Sequence, residues 1–297
     1  MMPATLSILN VTFQSGHRGL AMGIWGASAG AAAAMGPLIG GVLVGSLGWE
    51  WVFLVNLPIG LAALNAAVKI IPESKEPGTS RRIDLPGIVI ASVFLGSLSF
   101  ALIEGQAYGW TSPLILGLFG FSVLAFITFI FIEVKSPAPL ISVGFFRNVT
   151  FTAGNILGLM VMFCLVGIIF LTVIYLQSVR GYSSMETGLI VLPLPLVLML
   201  VSPLAGRLAD RIQMRWLMSA GMLMVALALS LLSQVTPEMS GQSFAGPLAL
   251  AGLGLGLVMA PLSAVVMASV PVVSSGAASG ILTTMRQVGA TLGITVL

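Results

Sequence analysis

An all-α, polytopic transmembrane helix bundle is the fold class this sequence predicts, and three observations predict it. The 297 residues are 58% hydrophobic and only 7% charged, with a mean hydropathy of +1.10. A soluble domain carries about 25% charged residues, so most of this chain has lipid for its solvent. Apolar runs of roughly 17 to 25 residues recur, the length of a spanning helix. In lipid every backbone polar group needs an internal partner, which leaves helices or a closed barrel. Barrel strands would show short alternating segments, which are not seen here. Finally, the basic residues sort onto one side once the runs are threaded through a membrane.

About ten apolar segments follow one another: 1–13, 22–47, 51–71, 87–103, 113–132, 151–175, 187–205, 216–233, 244–268 and 276–297. If all ten span, one set of loops holds Arg18, Lys69, Lys75, Arg81, Arg82, Lys135, Arg147, Arg207, Arg211 and Arg215, and the other set holds only Arg180. Arg286 lies inside the last segment. A miscounted span would scramble this split. The positive-inside rule makes the basic loops cytoplasmic, and the protein is expected in the cell membrane as a multi-pass protein. The net charge of +3 is read as this topology signal. Acids fall on both sides, which carries little topology information.

The first segment must then run from the outer face inward, which points to earlier helices preceding it. The second carries the stretch GASAGAAAAMGPLIGG, Gly26 to Gly41. Helices in a bilayer associate through close van der Waals packing, which small residues permit. Gly26, Gly30 and Ala34 stand four apart on one stripe, and Gly36 and Gly40 are expected to continue it within a small rotation. Pro37 removes one helix hydrogen bond and is expected to bend the helix near Gly36. Plain tight packing is the alternative to any specific role. After the third segment, Pro72 to Pro86 is rich in turn residues and mixed charge, a linker and not a domain. Glu133 to Asn148 is a second one.

Several function classes are unsupported. No GxxxxGK[ST] loop occurs, so the chain is not itself an ATP-driven pump. No paired metal ligands, Ser-His-Asp set or Cys-His set can be assembled, so neither an enzyme nor a metal or other cofactor is implied. The lone Cys164 excludes an intramolecular disulfide, and the lone His17 falls in a loop. The basic residues are strung along one membrane face and not clustered with aromatics, so no nucleic-acid partner is indicated. Asn10-Val11-Thr12 and Asn148-Val149-Thr150 match the glycosylation triplet, but at membrane edges.

Several motifs are more specific. Gly26, Gly30 and Gly36-Pro37-x-x-Gly40-Gly41 resemble the antiporter motif on the fifth helix of the major facilitator superfamily. Trp49-x-Trp51-x-Phe53-x-x-Asn56-x-Pro58-x-Gly60 resembles the start of the sixth helix in its fourteen-helix drug:proton antiporters. Pro3-Ala4-Thr5 to Arg18 is similar to helix four and its loop. Ile83-Asp84-Leu85-Pro86-Gly87 is similar to the entry to the extra helix pair between the two six-helix halves. Tyr175-Leu176-Gln177, Gly181, Gly188 and Pro193 resemble the first helix pair of the second half. Pro203 to Arg211, with Arg215, resembles that half's cytoplasmic loop motif.

The resemblance implies a fragment lacking the first three helices. Residues 1–71 would end the first half as helices four to six. Residues 72–86 would be a cytoplasmic linker, 87–132 the extra central pair, 133–150 a second linker, and 151–297 helices nine to thirteen. It implies export of drugs or other amphipathic or cationic small molecules in exchange for protons, by alternating access. A transporter of another solute and a truncated, non-transporting remnant remain open. The implied partners are the bilayer, a small-molecule substrate and protons; an envelope-spanning efflux partner is not readable.

Candidate residues fall into three groups. The glycine helix carries Gly26, Gly30, Gly36, Pro37, Gly40 and Gly41. A cytoplasmic latch would comprise Gly206, Arg207, Asp210, Arg211 and Arg215. There Gly206 allows a tight turn, Asp210 caps the helix start near Gly19 to Gly23, and the arginines meet carboxylates or carbonyls. The transport path would contain Asn56, Asn155, Tyr175, Gln177 and Arg286. Ionisable groups inside the membrane are functional by default, though Arg286 can alternatively snorkel to the interface. No acid lies mid-segment; the resemblance puts the proton-carrying carboxylate on the first helix, outside this sequence.

Overall fold

The computed structural model of the chain describes residues 2–13, 18–70, 84–136, 143–209, 211–236, 240–271 and 274–296. The described residues form helices and no strand. The helices are α1 (Met2–Thr12), α2 (Arg18–Ser46), α3 (Trp51–Leu54), α4 (Asn56–Ile70), α5 (Leu85–Tyr108), α6 (Pro113–Lys135), α7 (Val149–Ile174), α8 (Ser184–Val191), α9 (Pro193–Ala209), α10 (Met214–Leu232), α11 (Ala245–Ala268) and α12 (Ser275–Thr295). Single turns of tighter 3₁₀ helix cover Val143–Arg147 and Gly241–Phe244, and a wider π turn covers Tyr175–Val179.

Among the described residues, seven helical stretches are long and apolar enough to cross a membrane: Trp51–Ile70, Leu85–Tyr108, Pro113–Lys135, Val149–Val179, Ser184–Ala209, Met214–Leu232 and Gly241–Ala268. The count of ten read from the sequence therefore has seven counterparts. The other three segments became α1, α2 and α12. With 11 residues, α1 is short of the roughly 20 that a crossing needs. Most of the linker 72–86, and residues 137–142 of the second linker, lie outside the described residues.

The helix starts are set by short polar side chains standing before apolar runs. Asp84 accepts a hydrogen bond from the Gly87 backbone N–H at 2.9 Å and opens α5 with a proline in its first turn. Ser112 does the same for α6 through the Ile115 N–H. Ser183 and Glu186 form a reciprocal capping box at the start of α8. Asn148 caps α7 by accepting from Thr150 and Phe151, while its Nδ2 donates to the Ser269 carbonyl at 3.0 Å. The Asn148-Val149-Thr150 triplet is therefore a helix cap that also ties the start of α7 to the end of α11.

Helix α11 is the hub. It packs against α2, α7, α9 and α10, and 72% of its apolar window is buried. Leu255, Val258, Leu262 and Val266 along it are fully covered and share one cluster with Leu6, Met22, Phe151 and Leu282 from four other helices. By contrast, none of the described residues of α3 and α4 is buried. The pair α5 and α6 packs mainly on itself, with Ser122 donating to the Phe94 carbonyl and the Phe94 and Phe126 rings 5.0 Å apart.

Candidate functional site

Two features lie where the front of the chain (α1 and α2) meets its back (α9, α11 and α12). One is a backbone-close contact between α2 and α9. A methyl group on Gly23 would stand 2.7 Å from the Ser202 carbonyl oxygen and 2.8 Å from Pro203 Cα. On Gly30 it would stand 2.9 Å from Leu198 Cδ2 and 3.0 Å from the Met199 nitrogen. On Gly26 it would meet the Ser202 side chain at an ordinary 3.4 Å. From the other side, a Cβ on Gly206 would collide with the carbonyl oxygen of Gly19. Side chains larger than hydrogen are incompatible with that approach.

The contact does not extend to Gly36 and Gly40: added Cβ atoms there would meet none of the described residues within 4 Å. Helix geometry gives the reason. At about 100° per residue, Gly19, Gly23, Gly26 and Gly30 fall within about 60° of one another, whereas Gly36 is turned about 120° away from Gly30. The small rotation expected from the spacing is in fact a change of face. Pro37 and Gly41 lie within α2, but their side-chain surroundings are outside the described residues.

The latch residues need a correction of the same kind. Gly206 does not make a turn; it is inside α9, one turn before the helix ends at Ala209, and its role there is close approach. Arg207, Arg211 and Arg215 are exposed, and the Arg215 guanidinium lies 5.2 Å from the Trp216 ring centre. Asp210 is outside the described residues. The structure nevertheless brings the end of α9 against the start of α2, the neighbourhood in which its partner was expected.

The second feature is Arg286. It lies on α12 and is only 6% exposed, held inward and not snorkelling. Its Nη2 donates to Ser263 Oγ at 2.9 Å, and its guanidinium carbon lies 5.8 Å from the Trp25 ring centre. Ser263 Oγ passes its own hydrogen to the Met259 carbonyl at 2.9 Å, and Trp25 Nε1 donates to Thr5 Oγ1 at 3.2 Å. The aliphatic stem of Arg286 fits against α7 at Gly158, where a Cβ would stand 3.7 Å from its Cγ. Three helices other than its own thus contact this cation, with α1 reaching it only through Trp25, and the partners shown are neutral. Its Nε has no hydrogen-bond partner among the described residues. Asn155, one turn before Gly158, is 1% exposed; its Nδ2 donates to the Phe151 carbonyl and its Oδ1 is unpartnered.

The other path candidates are elsewhere. Asn56 is exposed and donates to the Val52 carbonyl of the preceding α3 at 2.9 Å. Gln177 is exposed in the π turn. Tyr175 begins that turn, with its ring 5.8 Å from that of Phe244. Asn155 is buried on α7 one turn before the glycine that Arg286 packs on, while Asn56, Tyr175 and Gln177 lie on other segments or at the far end of α7. Sequence reasoning missed Ser263, Trp25 and Thr5. Ser263 did carry a signal, as the only hydroxyl in α11, whereas Trp25 was hidden beside the glycines.

The described helices and their buried cation define a multi-pass α-helical membrane protein. Residues 1–294 match the model of the Major Facilitator Superfamily, and the chain belongs to that family, whose members are transporters and not enzymes. The chain is 36% identical over its whole length to the tetracenomycin C resistance and export protein of Streptomyces glaucescens, covering 55% of that protein. It is 34% identical over 99% of its length to the methylenomycin A resistance protein of Bacillus subtilis, covering 63% of it. It is equally similar to the multidrug resistance protein Stp of Mycobacterium tuberculosis, covering 54%. The chain thus spans between half and two thirds of the length of these relatives.

Proposed function

We propose that the chain belongs to a secondary active transporter that exports amphipathic or cationic small molecules in exchange for protons, with its basic loops in the cytoplasm. On this reading residues 1–71 complete a first six-helix half, 87–132 form an additional helix pair between two linkers, and 151–297 belong to the second half of a fourteen-helix protein. Family membership supports it, as do the resistance and export functions for which the relatives are named. The α2–α9 contact then joins one half to the other, and it is the surface along which the halves rock.

The observation that carries the reading is Arg286. A charged side chain inside the membrane costs on the order of 3 kcal/mol and is retained where it meets a partner that comes and goes. An arginine beside a carboxylate favours the ionised acid, and its withdrawal lets the acid take up a proton. Arg286 can therefore drive release of a proton from an acid that approaches it in one conformation and leaves it in the other. Neutral Ser263 and the face of Trp25 hold the guanidinium in place without satisfying its charge.

The test is ethidium efflux from a drug-sensitive bacterium carrying the reading frame that contains this sequence. Ethidium accumulation is expected to fall, and a protonophore to restore it. Arg286→Gln is expected to reduce efflux by about tenfold or more, a barrier change of about 1.4 kcal/mol, with unchanged membrane levels. Accumulation equal to the vector control would sink the export reading. Efflux indifferent to the protonophore would sink proton coupling alone.

A further inference from the structure

We propose that Thr5 and Trp25 are positioning residues for Arg286: they hold its guanidinium while α1 and α2 lie against α11 and α12, and release it when these helices move apart. The links form one chain across four helices. Thr5 on α1 accepts from Trp25 Nε1 on α2 at 3.2 Å. The Trp25 ring centre stands 5.8 Å from the guanidinium carbon of Arg286 on α12, and Arg286 Nη2 donates to Ser263 on α11 at 2.9 Å. The inference rests on the transporter reading above, in which residues 1–71 and 151–297 belong to opposite halves. Thr5 and Trp25 then belong to one half, Arg286 and Ser263 to the other. A directional hydrogen bond ties each pair within its own half. The link between the halves is a cation against a ring, a contact that demands no single geometry.

Two features suit that link to breaking. The attraction between a cation and an aromatic face reaches about 6 Å from the ring centre. At 5.8 Å, a further displacement of about 2 Å ends it. In addition, Trp25 stands at least about 100° around α2 from Gly19, Gly23, Gly26 and Gly30, the glycines set against α9. With that backbone-close face as the pivot, a roll of α2 swings Trp25 across Arg286 and leaves α9 in place. Thr5 sets the angle of the indole, so it acts on Arg286 through Trp25 without touching it. Ser263 stays with Arg286 in either arrangement, since both belong to the second half. A carboxylate that meets the uncovered guanidinium is the stronger partner, because a charge-assisted pair exceeds a neutral contact. Trp25 and the acid thus take turns on Arg286, which ties the proton step to the movement of the halves.

The test uses the full reading frame that contains this sequence, purified in detergent with isotope-labelled tryptophan indoles for nuclear magnetic resonance. Trp25→Phe identifies the Trp25 N–H resonance by its disappearance. Thr5→Val is expected to shift that resonance by removing the acceptor, and Arg286→Gln to shift it by removing the cation. In the efflux assay, the rate at saturating ethidium should fall about fivefold in Trp25→Leu and about threefold in Thr5→Val, and Thr5→Ser should restore it. Trp25→Leu combined with Arg286→Gln should be no slower than Arg286→Gln alone, because both act on one step. Thr5 is exposed, so Thr5→Val keeps the fold even where Arg286→Gln does not accumulate. A Trp25 resonance indifferent to either substitution, a wild-type rate in Thr5→Val, or losses that add in the double variant overturn the proposal. Both shifts in a protein that exports no ethidium would refute the export reading and leave the connection from Thr5 through Trp25 to Arg286 in place.

Discussion

Helix α2 contains two glycine clusters of the same composition and opposite circumstance. Gly19 to Gly30 lies against α9, and Gly36 with Gly40 has nothing from the described residues of another helix within van der Waals reach. Gly26 and Gly30 of the first cluster and Gly36 and Gly40 of the second belong to the motif that resembles the antiporter signature. What separates them is rotation: six residues carry the chain about 120° around the helix between Gly30 and Gly36. The lesson is that a glycine count in a membrane helix does not measure packing. The face on which each glycine falls does.

Substitutions can break or sharpen this contrast. The largest effect is expected at Gly206, which meets the backbone of Gly19 and not a side chain able to move aside. Gly206→Leu should force α2 and α9 apart, lower stability by on the order of 3 kcal/mol, and abolish efflux. Folded yield by size-exclusion chromatography and the apparent melting temperature in detergent would register it; a wild-type melting curve would refute the close contact. Gly30→Ala is intermediate, because the Leu198 methyl can shift but the Met199 backbone cannot. A loss of about 1 kcal/mol is expected, seen as a smaller drop in melting temperature. At the other cluster the sign reverses. Gly36→Ala with Gly40→Ala removes backbone freedom and meets no neighbour, so it should leave stability unchanged or raise it by up to about 1 kcal/mol per site. A marked loss in that double variant would mean that the open face is covered when the protein works, and the contrast between the clusters would disappear.

Much of the architecture was legible because lipid simplifies the problem. Seven apolar runs became seven helical stretches of spanning length, and four of them start at Asp84, Ser112, Asn148 and Ser183, residues whose short side chains cap helices. Arg286 stood out as a charge inside an apolar run. Less legible was anything that depends on which helix lies next to which. Gly206 looked like a turn residue because loops and close helix contacts use glycine alike, and only the neighbour, Gly19, distinguishes them. Ser263 and Trp25 could not be joined to Arg286 because the three residues are brought together by packing across α2, α11 and α12. Asn56 looked like a path residue because an amide in an apolar run suggests a buried partner, yet it is exposed and its Nδ2 is taken up by the backbone four residues earlier, in α3.

The hairpin of α5 and α6 has a consequence for biogenesis. Its two helices hold each other through Ser122 and the Phe94–Phe126 pair, and Trp110 in the connection covers Gly105, whose Cβ position lies 2.6 Å from the indole. Beyond one edge shared with α12, the hairpin asks little of the rest of the bundle. As the chain emerges from the ribosome, these two helices can enter the bilayer as a finished pair and wait there while the hub helix α11 is still untranslated. The same independence makes the hairpin an insertion that an ancestral gene could acquire, or lose, without rewriting the packing on either side of it.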